Sequence, residues 1–172
     1  MSKSRAIFLD RDGVINVDKS YVYKIEDFEF CEGIFETLRE FQKLGFLLII
    51  VTNQSGIGRG YYTDEDFRDL SSWKLNELKK RDIFIDALYH CNHDPDSGCE
   101  CRKPAPKMLL DAKEKFDIDM ENSWMIGDKK SDIDAALNAG VKNTILIAKD
   151  CSDKKGASYC VSSILDVIGI VK

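Results

Sequence analysis

The amino-acid sequence predicts an α/β fold, a Rossmann-like parallel sheet with helices on both faces. Three observations predict it. Short, fully apolar runs recur along the chain, the mark of strands buried on both sides. Between them lie segments whose apolar residues fall three and four apart, the mark of amphipathic helices. Acidic and polar clusters follow directly after the apolar runs. In such sheets, that is the edge where ligands bind, beyond the strand ends from which crossovers leave in opposite directions.

The first strand is Ala6-Ile7-Phe8-Leu9, and the second is the longer run Phe46 to Val51. Weaker candidates of the same kind are Ile85 to Tyr89, Trp124 to Ile126 and Thr144 to Ile147. Ile34, Leu38, Phe41 and Leu44 share one helical face, and Gly45 supplies the stop. A longer helix opens at Thr63 with Asp64, Glu65 and Asp66, a capping residue followed by acid at the positive end of the dipole. It closes in Lys79-Lys80-Arg81. Further helices are expected over Pro106 to Phe116, Ser131 to Asn138 and Ser163 to Ile168. Right-handed crossovers then join the strands. No repeat, low-complexity stretch or Pro/Ser-rich linker interrupts the pattern, so residues 1–172 read as one domain.

Composition narrows the class. With 44% hydrophobic and 32% charged residues, the chain is neither disordered nor membrane-spanning. No apolar run approaches the roughly 20 residues a bilayer helix needs. Met1 to Arg5 leads straight into the first strand with no cleavable apolar region, so a cytoplasmic protein is expected. The net charge of −5, without a basic stripe, argues against nucleic acid as the main partner. A monomer is the default, since no exposed apolar stripe stands out.

The residues after each strand carry the chemistry. Asp10-Arg11-Asp12-Gly13 follows the first strand, and Thr52-Asn53-Gln54-Ser55-Gly56 the second. Arg102-Lys103-Pro104 comes after the third, and Gly127-Asp128-Lys129-Lys130-Ser131-Asp132 after the fourth. Continued pleating would point Asp10 and Asp12 the same way and send Arg11 elsewhere. Their mutual repulsion would raise the pKa of one, letting one carboxylate attack phosphorus while the other handles protons. Thr52 and the glycine-rich backbone beyond it could bind an anion. Lys103 could neutralise phosphoryl charge, and Asp128 suits Mg²⁺, which prefers oxygen ligands. Each feature taken alone equally fits a solvated loop aspartate, a Ser/Gly turn, an exposed lysine or a helix cap. Their order on successive strands points to phosphate plus a divalent metal.

Cys91, His93, Cys99 and Cys101 crowd into one segment, residues 91–101. In a reducing compartment such a cluster reads as metal-binding sooner than as a disulfide framework. Three thiolates and one imidazole suit a closed, tetrahedral, structural Zn²⁺. Reduced, metal-free thiols are the alternative. Cys31, Cys151 and Cys160 are scattered and read as small buried hydrophobes. His90 reads as a strand-end residue.

The ordered set Asp10-x-Asp12-Gly13, Thr52, Lys103 and Gly127-Asp128-x-x-x-Asp132 resembles the four motifs of the haloacid dehalogenase superfamily of phosphotransferases. Ile7 to Gly13, Val51 to Ile57, Cys101 to Pro104 and Met125 to Lys129 resemble more closely its heptose-bisphosphate 7-phosphatase branch, with histidinol-phosphate phosphatases as near relatives. The likeness runs from about residue 5 to 148. It implies that Asp10 is the nucleophile, forming an aspartyl-phosphate, and that Asp12 serves as general acid and then base. It places Mg²⁺ on the Asp10 carboxylate, the Asp12 main-chain carbonyl and the Asp128 carboxylate. Thr52 and Lys103 would hold the phosphoryl group. Asp18, Lys19, Ser20, Tyr21, Asn53, Gln54, Ser55, Arg102 and Lys129 match positions that contact the sugar phosphate. The branch carries the same four zinc ligands, usually around a longer insertion than the segment between His93 and Cys99.

The implied reaction removes the C7 phosphate of D-glycero-D-manno-heptose 1,7-bisphosphate, on the route to nucleotide-activated heptose for surface glycans. Histidinol phosphate is the alternative substrate. A phospho-aspartate receiver domain is the alternative of another class, disfavoured because no lone aspartate ends the third strand. The stretch from Val14 to Glu32 is too short for a core of its own, and that from Asn53 to Arg102 is already occupied, so no cap domain is expected.

Overall fold

The structure, a computed structural model, describes residues 2–172. Six parallel strands form one sheet in the order β3-β2-β1-β4-β5-β6. They are β1 (Ala6–Leu9), β2 (Leu47–Asn53), β3 (Ala87–Cys91), β4 (Trp124–Gly127), β5 (Asn143–Ile147) and β6 (Tyr159–Val161). The helices are α1 (Ile34–Lys43), α2 (Ser55–Gly58), α3 (Asp64–Lys79), α4 (Lys107–Phe116) and α5 (Lys130–Asn138). No helix among the described residues is long and apolar enough to cross a membrane.

The pleat divides each apolar strand between two cores. Ile7 and Leu9 of β1, with Leu48 and Ile50 of β2 and Trp124 and Ile126 of β4, join Ile34, Leu38 and Phe41 of α1 and Leu70 and Leu78 of α3. Ala6, Phe8, Ile49, Val51 and Met125 turn the other way, onto Met108, Leu109 and Ala112 of α4 and Ala135 and Ala136 of α5. Helices therefore cover both faces, as continuous rather than alternating hydrophobicity demands. Thr63 caps α3 in a reciprocal box: its hydroxyl accepts from the Asp66 amide at 3.1 Å, and the Asp66 carboxylate accepts from the Thr63 amide at 2.8 Å.

β1 pairs with β2 on one side and β4 on the other. The chain runs outward through β2 and β3, then crosses back to β4, so the switch point lies at the carboxyl end of β1. That geometry opens a crevice above Asp10. The β1–α1 connection is a strap and not a domain. Val17 donates to the Glu29 carbonyl at 2.8 Å and Cys31 to the Ile15 carbonyl at 2.9 Å, tying its two arms together. At its tip, Ser20 and Tyr21 adopt left-handed backbone at φ 60° and 54°. The expected absence of a cap domain fits this strap.

The structure corrects three expectations away from the crevice. β6 adds a sixth strand that three half-exposed residues, Tyr159 to Val161, did not announce. The tail over Ile164–Gly169 is a 3₁₀ helix and not an α-helix. Cys151 and Cys160, expected as separate buried hydrophobes, are half-buried and joined by a disulfide with Cα atoms 5.6 Å apart, clipping β6 to the loop after β5. Cys31 is half-buried at the edge of the α1-side core.

Candidate active site

β1 ends at Leu9, and the chain leaves the pleat there, which is why the expected alternation does not continue to Asp12. Arg11 does not point away. It is 1% exposed and forks onto the Asp12 carboxylate, with Nη2 2.8 Å from Oδ1 and Nε 3.2 Å from Oδ2. It also donates to the Val22 carbonyl at 2.7 Å. Asn16 Nδ2 at 3.0 Å and Gln54 Nε2 at 3.2 Å complete the donors around Asp12. Burial works to raise this carboxyl, but the charge and hydrogen bonds of Arg11, then Asn16 and Gln54, hold it below its ordinary value.

Asp10 lives in the opposite environment. Burial, and next the Asp132 charge, push its carboxyl well above the usual range against the pull of Lys103. Asp12 raises it too, but least of these groups, so the repulsion that the sequence spacing implied is the smallest part of the effect. Lys103, 3% exposed, donates from Nζ to Asp10 Oδ1 at 2.9 Å, Asp132 Oδ1 at 2.6 Å and the Val51 carbonyl at 2.8 Å. Its flanking carboxylates hold it as an ammonium, raised against the cost of burial. Asn53 grips the same residue's backbone, accepting from the Lys103 amide at 3.0 Å and donating to its carbonyl at 3.2 Å.

Asp10, Asp128 and Asp132 each offer an oxygen, all within 4.8 Å of one another. Asp132, which the sequence pattern contained but assigned no ligand role, is engaged by Lys103 and by the amides of Asp128 and Lys129 at 3.2 and 3.1 Å. Asp128 Oδ1 is buried without a partner. Asp10 and Asp128 are thus the two side chains with oxygens to give a hard divalent cation. Burial and the Asp132 charge push the Asp128 carboxyl up to about 6. Glycine makes room for both acids of this loop. A Cβ at Gly13, whose φ is +91°, would strike the Asp128 carboxylate, and one at Gly127 would strike Asp132.

Asp10, Asp12, Asn53, Lys103, Lys129, Ser131 and Asp132 line a small inner well of about 40 Å³. It shares walls with an outer cleft of about 320 Å³. Of the expected substrate contacts, Asp18, Ser20, Tyr21, Asn53, Gln54, Ser55, Arg102 and Lys129 line the cleft. Lys19 does not; it pairs with Glu29 of the strap's other arm at 3.0 Å. Thr52, expected to hold the phosphoryl group, is fully buried and lines neither the well nor the cleft; its hydroxyl accepts from Gln54 Nε2 at 3.0 Å. Gln54 also accepts a short hydrogen bond from the Tyr62 hydroxyl. Sequence reasoning missed Arg59, Tyr62 and Ser131, which complete the cleft wall. A basic residue between Gly58 and Gly60, so soon after a functional strand end, was the available signal for Arg59.

The Cys/His segment packs beside α2, where a Cβ on Gly58 would strike the Asp94 backbone. Cys91, His93, Cys99 and Cys101 converge with donor atoms within 4.8 Å of one another. His93 Nδ1 lies 3.5 Å from Cys91 Sγ and 3.1 Å from Cys101 Sγ; Cys99 Sγ lies 3.6 and 4.0 Å from the same sulfurs. Tetrahedral Zn²⁺ with bonds near 2.3 Å sets its donors about 3.5–3.8 Å apart. His93 and Cys99 stand at or near that spacing from Cys91, whereas Cys101 departs from it toward each of the other three donors and is joined to Cys91 as a disulfide, where the sequence predicted free thiolates. A hydrogen bond from Ser97 chiefly holds the Cys99 thiol below its ordinary pKa, favouring thiolate. His90 stays apart, stacked on Phe67 with Nε2 3.3 Å from Asp64.

Comparison with known proteins agrees with this geometry. The HAD-hydrolase-like family matches residues 100–163. The chain is 58% identical over 148 residues to D-glycero-alpha-D-manno-heptose-1,7-bisphosphate 7-phosphatase of Campylobacter jejuni, covering 86% of this chain and 85% of that one. It is 50% identical over 151 residues to D-glycero-beta-D-manno-heptose-1,7-bisphosphate 7-phosphatase of Helicobacter pylori, covering 87% of each. Among solved structures, D,D-heptose 1,7-bisphosphate phosphatase from B. bronchiseptica, complexed with magnesium and phosphate, superimposes with a TM-score of 0.85. The two share 26% identity, and the match covers 96% of this chain and 97% of that one.

Two outcomes follow from the acidic cluster. Folded Asp10 and Asp128 keep their protons to higher pH than in the unfolded chain, so their stabilising contribution is present at low pH and lost as pH rises, through about 6 for Asp128 and through its own raised value for Asp10. A divalent cation binds the deprotonated oxygens and restores it. The rise in Tm on adding Mg²⁺ is therefore larger at about pH 7.5 than at about pH 5, measured by calorimetry. Gly13→Ala, which forces Asp128 aside, lowers phosphatase kcat/KM at least about 100-fold and reduces that Mg²⁺-dependent Tm rise.

Proposed function

This chain belongs to the D-glycero-D-manno-heptose-1,7-bisphosphate 7-phosphatase family of HAD-like hydrolases, and on that basis we propose that its crevice hydrolyses the C7 phosphate through Asp10. It is a phosphoric monoester hydrolase acting on the heptose bisphosphate. The observation that carries the residue assignment is the inner well, where a carboxylate, a buried ammonium and a second acid face one small space.

The phosphoryl group enters that well. Asp10 and Asp128, with the Asp12 main-chain carbonyl, would hold Mg²⁺. When bound, the cation neutralises phosphoryl oxygens and keeps both carboxyls deprotonated. Lys103 supplies a further fixed positive charge at Asp10, and Thr52 acts from beneath through Gln54, accepting from the same amide that donates to Asp12. Asp10 Oδ attacks phosphorus in line, the phosphorus–oxygen bond to the sugar breaks, and Asp12 protonates the departing alkoxide. A phosphoryl dianion arriving beside Asp12 works against Arg11 and draws the required proton onto it. The same carboxylate then takes a proton from the water that cleaves the aspartyl-phosphate. Most of the acceleration comes from positioning and charge neutralisation.

The receiver-domain reading is set aside, because the acceptor carboxylate ends β1 and the family is a phosphatase family. Histidinol phosphate, whose leaving group carries an amine, fits a cleft walled by Arg59 and Arg102 less well than an anionic sugar does. The Cys/His segment would hold structural Zn²⁺, fixing the chain that leads directly into Arg102 and Lys103.

Phosphate release from both anomers of the heptose bisphosphate exceeds release from histidinol phosphate and depends on Mg²⁺. Asp10→Asn abolishes release while its circular dichroism matches the parent protein; retained turnover would remove Asp10 as nucleophile. Purified protein carries about one zinc per chain by elemental analysis. Cys99→Ser loses that zinc and lowers Tm by several degrees, and an unchanged Tm after zinc loss would contradict the structural role.

A further inference from the structure

Arg59 is a cation that the reaction chemistry does not use. It follows α2, its amide donating to the Ser55 carbonyl at 3.0 Å, and it lines the outer cleft but not the inner well. Its backbone is fixed although its side chain is exposed. A Cβ on Gly56 would strike the Tyr62 ring, and one on Gly58 the backbone of Asp94, so α2 is wedged between the tyrosine wall and the Cys/His segment. Gly60, at φ +79°, then turns the chain away.

Charge in the cleft is unevenly matched. Asp12 is neutralised by Arg11 at 2.8 Å, and Lys129 faces Asp18 at 3.7 Å. Among the described residues, neither Arg59 nor Arg102 has a carboxylate within ion-pairing distance. A chain of net charge −5 thus leaves two uncommitted guanidiniums on one cleft, outside the well that takes the reacting phosphoryl group. Guanidinium forks match phosphate oxygens bidentately.

We propose that Arg59 is a specificity-determining residue that binds the second, non-reacting phosphate of the substrate, acting together with Arg102 as a two-guanidinium clamp. This role rests on the heptose bisphosphate assignment and adds to it the residue that selects a doubly phosphorylated sugar. The non-reacting phosphate undergoes no change of charge, so the clamp contributes mainly to binding.

The test is steady-state kinetics of the Mg²⁺-loaded full chain on the heptose 1,7-bisphosphate and on the same sugar bearing only the 7-phosphate. Arg59→Gln lowers the ratio of kcat/KM for the bisphosphate over the monophosphate about 10–100-fold, with the loss carried by KM. Arg59→Lys recovers part of that ratio. Arg102→Gln shifts the ratio in the same direction, and the double variant departs from the product of the single effects. If Arg59→Gln leaves the ratio where it was, or the loss falls on kcat for both substrates, Arg59 is not the clamp. If the unaltered chain releases phosphate from histidinol phosphate but not from the bisphosphate, the substrate assignment itself fails, and the clamp with it. Arg59 is exposed, so circular dichroism of the variants matches the parent.

Discussion

One buried ammonium organises the crevice. Lys103 touches Asp10, Asp132 and the Val51 carbonyl at once, in surroundings almost closed to water. Two carboxylates brought this close at the end of a buried strand repel each other and lose hydration, and a fixed cation is what makes their burial tolerable. Removing one side of such a contact typically costs about 3–5 kcal/mol. The third acid, Asp128, keeps a buried oxygen without a partner, the kind of donor a hard divalent cation takes.

The rest of the molecule can be understood as support for that lysine. It does not sit on a strand or helix but in the connection after the Cys/His segment. Two devices fix it: the paired hydrogen bonds from Asn53 at the end of β2, and the four-residue Cys/His cluster that closes immediately before Arg102. A loop with so few apolar side chains gains little from packing, and what closes it is the convergence of its four donor side chains within 4.8 Å of one another. The same anchoring presents Arg102 to the outer cleft, linking the reacting and recognition ends of the site through two adjacent residues.

Electrostatics divide the labour between two aspartates only one residue apart. Asp10 faces buried acids and is driven toward its protonated form until cations intervene; Asp12 is ringed by Arg11, Asn16 and Gln54 and is driven the other way. Opposite environments let neighbouring carboxyls take different protonation states at one pH, the condition that the proposed division into nucleophile and proton carrier requires. The strap over Ser20 and Tyr21 closes one side without forming a cap, so the outer cleft remains accessible to a sugar carrying phosphates at both ends.

The sequence by itself determined the sheet, its helices and the strand ends that carry chemistry. These are encoded locally, in continuous apolar runs, helical spacing and the capping box at Thr63, and local rules survive into the fold. Asp10, Asp12, Thr52 and Asp128 stood out because each closes or follows such a run, and Lys103 because it comes directly after the Cys/His segment. What only the tertiary structure decided depends on partners distant in the chain. Arg11 turns inward because the pleat ends at Leu9 and Asp12 and the Val22 carbonyl await it. Asp132 becomes part of the acidic cluster because α5 begins against Asp10 and Lys103. Lys19 leaves the cleft for Glu29, and Arg59 enters it because two glycines let α2 press against neighbours on either side. Side-chain direction after a strand end is set by what the fold brings near, and no local pattern carries that information.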